Sequence, residues 1–345
     1  MTVIAVTADA QSLAHALPAP RGLLSATVVT ALARPPAPEP FALHALEGTD
    51  PYGEDLTLAL HVCYELHYRG FAGVDPLWEW DPELLRLRAA MERVFATALR
   101  SDTGGGTDVA AVLDGLLVET VPGDGVSHYL RDSADWEQMR EYFAHRSVYH
   151  LKEADPHAWV IPRLQGQAKA SLVAVEFDEF GGGRAERAHS QLFADLLAGA
   201  GLSSDYLHYL DDVPAPALAI VNLMSMFGLH RRLRGALVGH FAAAEITTAP
   251  SAQRIAQALE RLGAGPQCVL FFTEHIEADA VHEQVLRRDV IGDLLGREPH
   301  LAGDVVFGVE ATELLESRLA AHLLAAWRTG TTSLRRALPE QSAGV

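Results

Sequence analysis

From residue 56 onward the chain repeats apolar residues at intervals of three and four, the pattern of helices that each bury one face. TLALHVCYELHYRG, DPELLRLRAAMERVFATALR and DVAAVLDGLLVETV read in this way as amphipathic helices packed on one another. ADWEQMREYFAHRSVYHLKEA stops at Asp155-Pro156, where Asp155 is placed to cap a second helix and Pro156 to fill its first position. That second helix is expected to run to Phe180. Gly181, Gly182 and Gly183 then break or kink the path, and RAERAHSQLFADLLAGAG resumes helical periodicity. Pro214 to Leu229 is almost continuously apolar and is followed by three helical stretches, RRLRGALVGHFAAAEITTA, SAQRIAQALERLG and one that Pro266 can open. VEATELLESRLAAHLLAAW is the last strong helix. No β alternation, phosphate-binding glycine loop or internal repeat interrupts the pattern, so the chain reads as all-α with about ten helices.

Residues 34 to 40, RPPAPEP, cannot continue a helix and form the natural linker. The expected organisation is an N-terminal extension over 1–45, one all-α domain over 46–330 and a tail over 331–345. With 49% hydrophobic residues in 345, that domain has ample material for a core. Asp and Glu number 45 against 27 Lys and Arg, a net charge of −18 that repels phosphate backbones and anionic lipid, so neither nucleic acid nor membrane is an expected partner. Cys63 and Cys268 are too few for a disulfide framework or a thiolate zinc site. The first residues lack a basic region ahead of the apolar ones, and no long uninterrupted apolar segment follows, which makes a cytoplasmic location the expectation.

Chemistry concentrates in EHIEADAVHEQV, residues 274 to 285, directly after the apolar CVLFF. At about 100° per residue, His275, Asp279 and His282 fall within roughly a 60° arc, while Glu274 and Glu277 point elsewhere. One helix cannot complete a metal site. Helical bundles that hold two carboxylate-bridged metals draw one Glu from each of two helices and a Glu-x-x-His pair from each of two others. Asp279-x-x-His282 has this form with Asp for Glu, Glu186-Arg-Ala-His189 has it outright, and Asp205-x-x-His208 matches in a short polar stretch. Glu245 is the sole acid between Asp212 and Glu260, on a helix of small and apolar residues where an unpaired carboxylate needs a cation, a proton or a hydrogen bond. Glu153, near the helix end that Pro156 defines, is the candidate for the fourth carboxylate. Glu153, Glu186, Glu245 and Asp279 together neutralise two divalent ions, and mixed imidazole and carboxylate ligation suits iron or manganese.

CYELHYRGF (63–71), YHLKEADPHAWVIPRLQGQAKASLVAVEFDEFGGGRAERAHSQLF (149–193) and FFTEHIEADAVHEQ (271–284) resemble the iron-containing redox enzymes of the haem-oxygenase-like diiron oxidase family. The resemblance spans roughly residues 50 to 330 and implies a haem-oxygenase-like helical bundle holding two Fe(II) per chain, with O2 as cosubstrate. It implies metal ligation by Glu153, Glu186, His189, Glu245, His275, Asp279 and His282, with Glu179 as an extra or exchangeable ligand. Glu65, Tyr68 and Arg69 would support these ligands from behind. A small organic substrate such as an amine, an amino acid or a fatty acid is implied, oxidised by N-oxygenation, oxidative decarboxylation or C–C cleavage. His150, Lys152, Arg163, Lys169 and Arg184 are the candidate anchors for a substrate carboxylate. A homodimer is the expected assembly, and the resemblance leaves room for an external electron donor. The competing readings are a haem oxygenase and a noncatalytic metal-binding or storage protein on the same scaffold.

Overall fold

A computed structural model describes residues 14–37, 40–119 and 121–339, leaving out the side chains at 44, 45 and 277–280. Among the described residues the chain is helical and contains no strand, the all-α bundle of the haem-oxygenase-like kind. The helices are α1 (Leu23–Leu32), α2 (Glu54–Glu65), α3 (Pro82–Asp102), α4 (Val109–Gly115), α5 (Val126–Asp132), α6 (Trp136–His150) and α7 (Asp155–Ala158). After them come α8 (Gly166–Glu179), α9 (His189–Gly199), α10 (Ala215–Leu229), α11 (Arg234–Arg261), α12 (Pro266–Gln284), α13 (Gly292–Arg297) and α14 (Ala302–Arg328).

Helix starts follow local chemistry. Asp81 accepts from the backbone N–H groups of Glu83 and Leu84 with Pro82 at the first position, and Asp135 exchanges reciprocal bonds with Gln138 to open α6. The α1 start is capped from a distance instead, because Asp55 of α2 accepts from the N–H groups of Leu24 and Ser25 at 2.9 and 2.7 Å. Leu24, Val28 and Leu32 are thereby buried against the bundle. Helix α10 lies at the centre, with every residue except Pro216 and Leu229 buried, and α2, α6, α11 and α14 pack around it. An all-round apolar helix has no solvent face to offer, which is why its sequence shows no period.

Three sequence expectations change. The helix expected from Asp155 to Phe180 is instead α7, a 3-10 turn at Ile161–Arg163 and then α8, and Ala154 at φ 62 turns the chain sharply after Glu153. Asp155 is the first residue of α7 rather than its cap. RRLRGALVGHFAAAEITTA and SAQRIAQALERLG belong mostly to one long helix, α11, with Pro250 inside it. Its ring removes one backbone hydrogen bond without ending the helix, since packing on α12 and α14 holds both halves in line.

Candidate metal centre

Two groups of three buried ligand side chains form where α6, α8, α9, α11 and α12 converge. Glu153, His189 and His275 make the first, and Glu179, Glu245 and His282 the second, with one donor atom from each residue within 4.8 Å of the other two. Glu153 comes from the turn between α6 and α7, Glu179 from the end of α8 and His189 from the start of α9. Glu245 lies midway along α11, and α12 supplies both His275 and His282.

Two of the imidazoles, His275 and His282, are oriented by their second nitrogen. His275 Nδ1 lies 2.7 Å from the Phe271 carbonyl, which can only accept, so Nδ1 donates and Nε2 is turned toward the first group, 3.8 Å from Glu153 Oε1. His282 turns Nδ1 toward Glu245 Oε2 at 2.9 Å and Glu179 Oε1 at 3.7 Å, while Nε2 reaches Asp178 at 3.3 Å. Glu179 links the groups, for its Oε2 is 2.9 Å from His189 Nδ1 and its Oε1 belongs beside His282. The His189 contact is close, yet its nitrogen is not aligned for a hydrogen bond to Glu179. Glu153 Oε2 and Glu179 Oε1 are also buried with no hydrogen bond. Buried acceptors such as these, converging without a donor, are what a cation satisfies, so the residues fit bound metal.

Electrostatics agree. Burial raises the Glu153 carboxyl, but His150 at 2.8 Å and His275 outweigh it and hold it well below the usual range, so it remains ionised. Glu176, one turn before Glu179, is pushed up to about 9 by burial and then by Glu179 and Glu245, and both its oxygens lack hydrogen bonds. The Tyr149 hydroxyl is pushed well above its usual value by burial and by the surrounding Glu153, Glu179, Glu176 and Glu245. Behind the Glu153 turn, buried Lys152 donates to Glu65 at 2.7 Å and sits over the Tyr68 ring, while Tyr206 donates to the other Glu65 oxygen at 2.7 Å. Arg69 ties the same corner through the Leu151 carbonyl at 3.0 Å.

Glu186 is not brought in. It is exposed on a 3-10 turn at Ala185–Arg187, because Gly181, Gly182 and Gly183 all take positive φ and delay α9 until His189. The premise that Glu186 and His189 share a helix face therefore fails, and Glu179 occupies the position beside His189. The Asp279 side chain lies outside the described residues, on a helix that carries His275 and His282. Asp205 and His208 are exposed and enter neither group. Sequence reasoning missed Glu176 and Asp178, although Glu176 shares a helical face with Leu172 and Glu179 in SLVAVEFDE, which was the available signal.

A chamber of about 510 Å³ opens beside Glu153, Glu179, Glu245 and His275. Of the five expected anchors only His150 lines it, and it is engaged by Glu153. Lys152 is spent on Glu65, and Arg163 holds the carbonyls of Gly228 and Leu229. Arg146 and Arg254 are the arginines in the wall.

Residues 140–317, just over half of the chain, match the iron-containing redox enzyme family, and the chain belongs to it. The family's description as iron-containing agrees with the buried carboxylate and imidazole donors of the two groups. Nitrosourea synthase of Streptomyces achromogenes subsp. streptozoticus is 28% identical over 240 residues, covering 67% of this chain and 50% of that protein. The chain spans about half the length of this curated relative. Among the described residues no helix is long and apolar enough to cross a membrane.

Proposed function

We propose that the protein binds two Fe(II) ions, one in each group, and uses O2 to oxidise a small organic substrate held in the adjacent chamber. The observation that carries this reading is Glu179, whose two oxygens face the two groups and give a pair of ions one shared carboxylate. Support also comes from the family and from the relative's name, nitrosourea synthase, which fits oxidation at nitrogen among the outcomes open to this chain. When bound, two ferrous ions supply the first two electrons for O2 reduction, and the substrate or an external donor supplies the rest.

The protein's part is positioning. His275 and His282 are locked by Phe271 and Asp178, so imidazole orientation is set before metal arrives. Lys152 and Glu65 pin the turn that presents Glu153. Tyr149 and Glu176 keep their protons beside the carboxylates, and Phe271 and Phe272 line the chamber and keep water off the His275 side. Asp279, on the same helix between the two histidines, is assigned as a further carboxylate ligand.

Anaerobic loading with Fe(II), followed by metal analysis, tests the reading. About two irons per chain are expected, with O2 uptake accelerated by a substrate of the right class. Tight binding of a single zinc with no iron uptake would overturn it.

A further inference from the structure

The polar groups in the chamber wall are unevenly matched. Arg146 gives two hydrogen bonds to the two oxygens of Glu316, at 2.8 and 2.7 Å, and Arg254 is taken by Ser127 and Glu119 at 2.9 and 2.7 Å. Both guanidinium groups are spent on the protein itself. The acceptors are not spent in the same way. His240 Nδ1 lies 2.8 Å from Thr312 Oγ1, and that hydroxyl gives its single hydrogen to the Gly308 carbonyl at 2.7 Å. Oγ1 can then only accept, so the ring proton is on Nδ1 and Nε2 is a bare lone pair. Among the described residues nothing donates to this buried nitrogen. Burial holds the ring pKa down to about 4, so Nε2 does not gain a proton near neutrality.

A second observation points the same way. Glu313, an exposed residue beside Thr312 on α14, also lines the chamber and makes no hydrogen bond or ion pair among the described residues. Burial, and then Glu316, push its carboxyl up. At His240 Nε2 a buried acceptor left without a donor costs about 1–3 kcal/mol, which a ligand that donates recovers, while the exposed Glu313 carboxyl adds an unpaired acidic group at the chamber wall. An alkyl carboxylate brings only acceptors and finds both chamber arginines occupied. An amine or guanidinium brings N–H donors and positive charge.

We propose that His240 and Glu313 are specificity-determining residues that select a substrate carrying an amine or guanidinium group over a fatty acid. This rests on the reading of the chamber as the substrate site. It narrows that reading to one substrate class and assigns residues to the choice.

The test is calorimetric titration of the full chain, metal-free and iron-loaded, with n-hexylamine, n-hexylguanidine and n-hexanoate. The two cations are expected to bind at least about tenfold more tightly than hexanoate. Glu313→Gln, at an exposed position that does not threaten folding, weakens both cations by about tenfold, and Glu313→Lys reverses the preference toward hexanoate. His240→Phe removes the acceptor and weakens them further, its fold checked by circular dichroism. Hexanoate binding as tightly as hexylamine, or Glu313→Gln leaving all three affinities unchanged, overturns the proposal. Iron content is read on the same samples. Cation preference with fewer than two irons would sink the dinuclear reading alone, and two irons without the preference would sink this one alone.

Discussion

In the proposed dinuclear reading both ligand groups depend on Glu179, because one oxygen lies beside His189 and the other beside His282. Glu179→Gln is therefore expected to lower iron to below about one per chain after anaerobic loading, whereas Glu153→Gln and Glu245→Gln each remove about one. Equal losses in all three variants would mean that Glu179 is not shared. Lys152 makes a separate prediction about stability. Its ammonium and Glu65 are both buried and 2.7 Å apart, so Lys152→Met strands a buried carboxylate and should cost about 3–5 kcal/mol in urea unfolding. Adding Glu65→Gln to that variant should restore a large part of the loss. If the double variant is as unstable as the single, the pair is not the reason Lys152 is buried.

At the scale of elements, the corner between α8 and α9 decides which glutamate reaches the site. Gly181 has φ 71, and a Cβ there would stand 2.5 Å from the Ala188 backbone nitrogen. Gly181→Ala should destabilise the protein by about 1–3 kcal/mol and weaken iron binding at His189, measured by melting and by metal titration of one sample. A similar constraint acts where α11 crosses α14, for a Cβ on Gly239 would overlap the Val305 carbonyl and one on Gly308 the Ala236 carbonyl. This close approach brings His240 within reach of Thr312. The helical periods and the α12 face carrying His275 and His282 were legible because spacing alone defines a helix face. The choice of Glu179 over Glu186 was not legible, since three consecutive glycines admit either a kinked helix or a break, and tertiary contacts select between them. Glu176 and Asp178 stayed hidden for a related reason. Which face of α8 looks inward depends on the turns at 154–165, and no local period encodes those.

For the molecule as a whole, acid sensitivity should come from buried neutral histidines as well as from the carboxylates of a chain with net charge −18. His145 is the clearest case because it lies apart from the metal ligands, where its Nε2 is 2.9 Å from Ser333 Oγ. That hydroxyl donates to Glu141 at 2.6 Å, so it can only accept from the ring, and Nε2 carries a proton. Burial, followed by His322 and Arg146, lowers the His145 pKa from 6.5 to about 3. In the unfolded chain the ring takes up a proton below about pH 6.5 that the folded protein refuses until about pH 3. The stabilisation is thus complete above pH 6.5 and is lost progressively as the pH falls through that window. Between pH 6.5 and 4.5 the loss from this one group is roughly 2–3 kcal/mol. Urea titrations of metal-free wild type and His145→Asn at pH 7 and 4.5 should show the variant less stable at pH 7 but with a shallower fall toward acid. Parallel falls in the two proteins would mean that His145 takes up its proton as readily in the folded state as in the unfolded chain, and that burial does not hold the ring neutral.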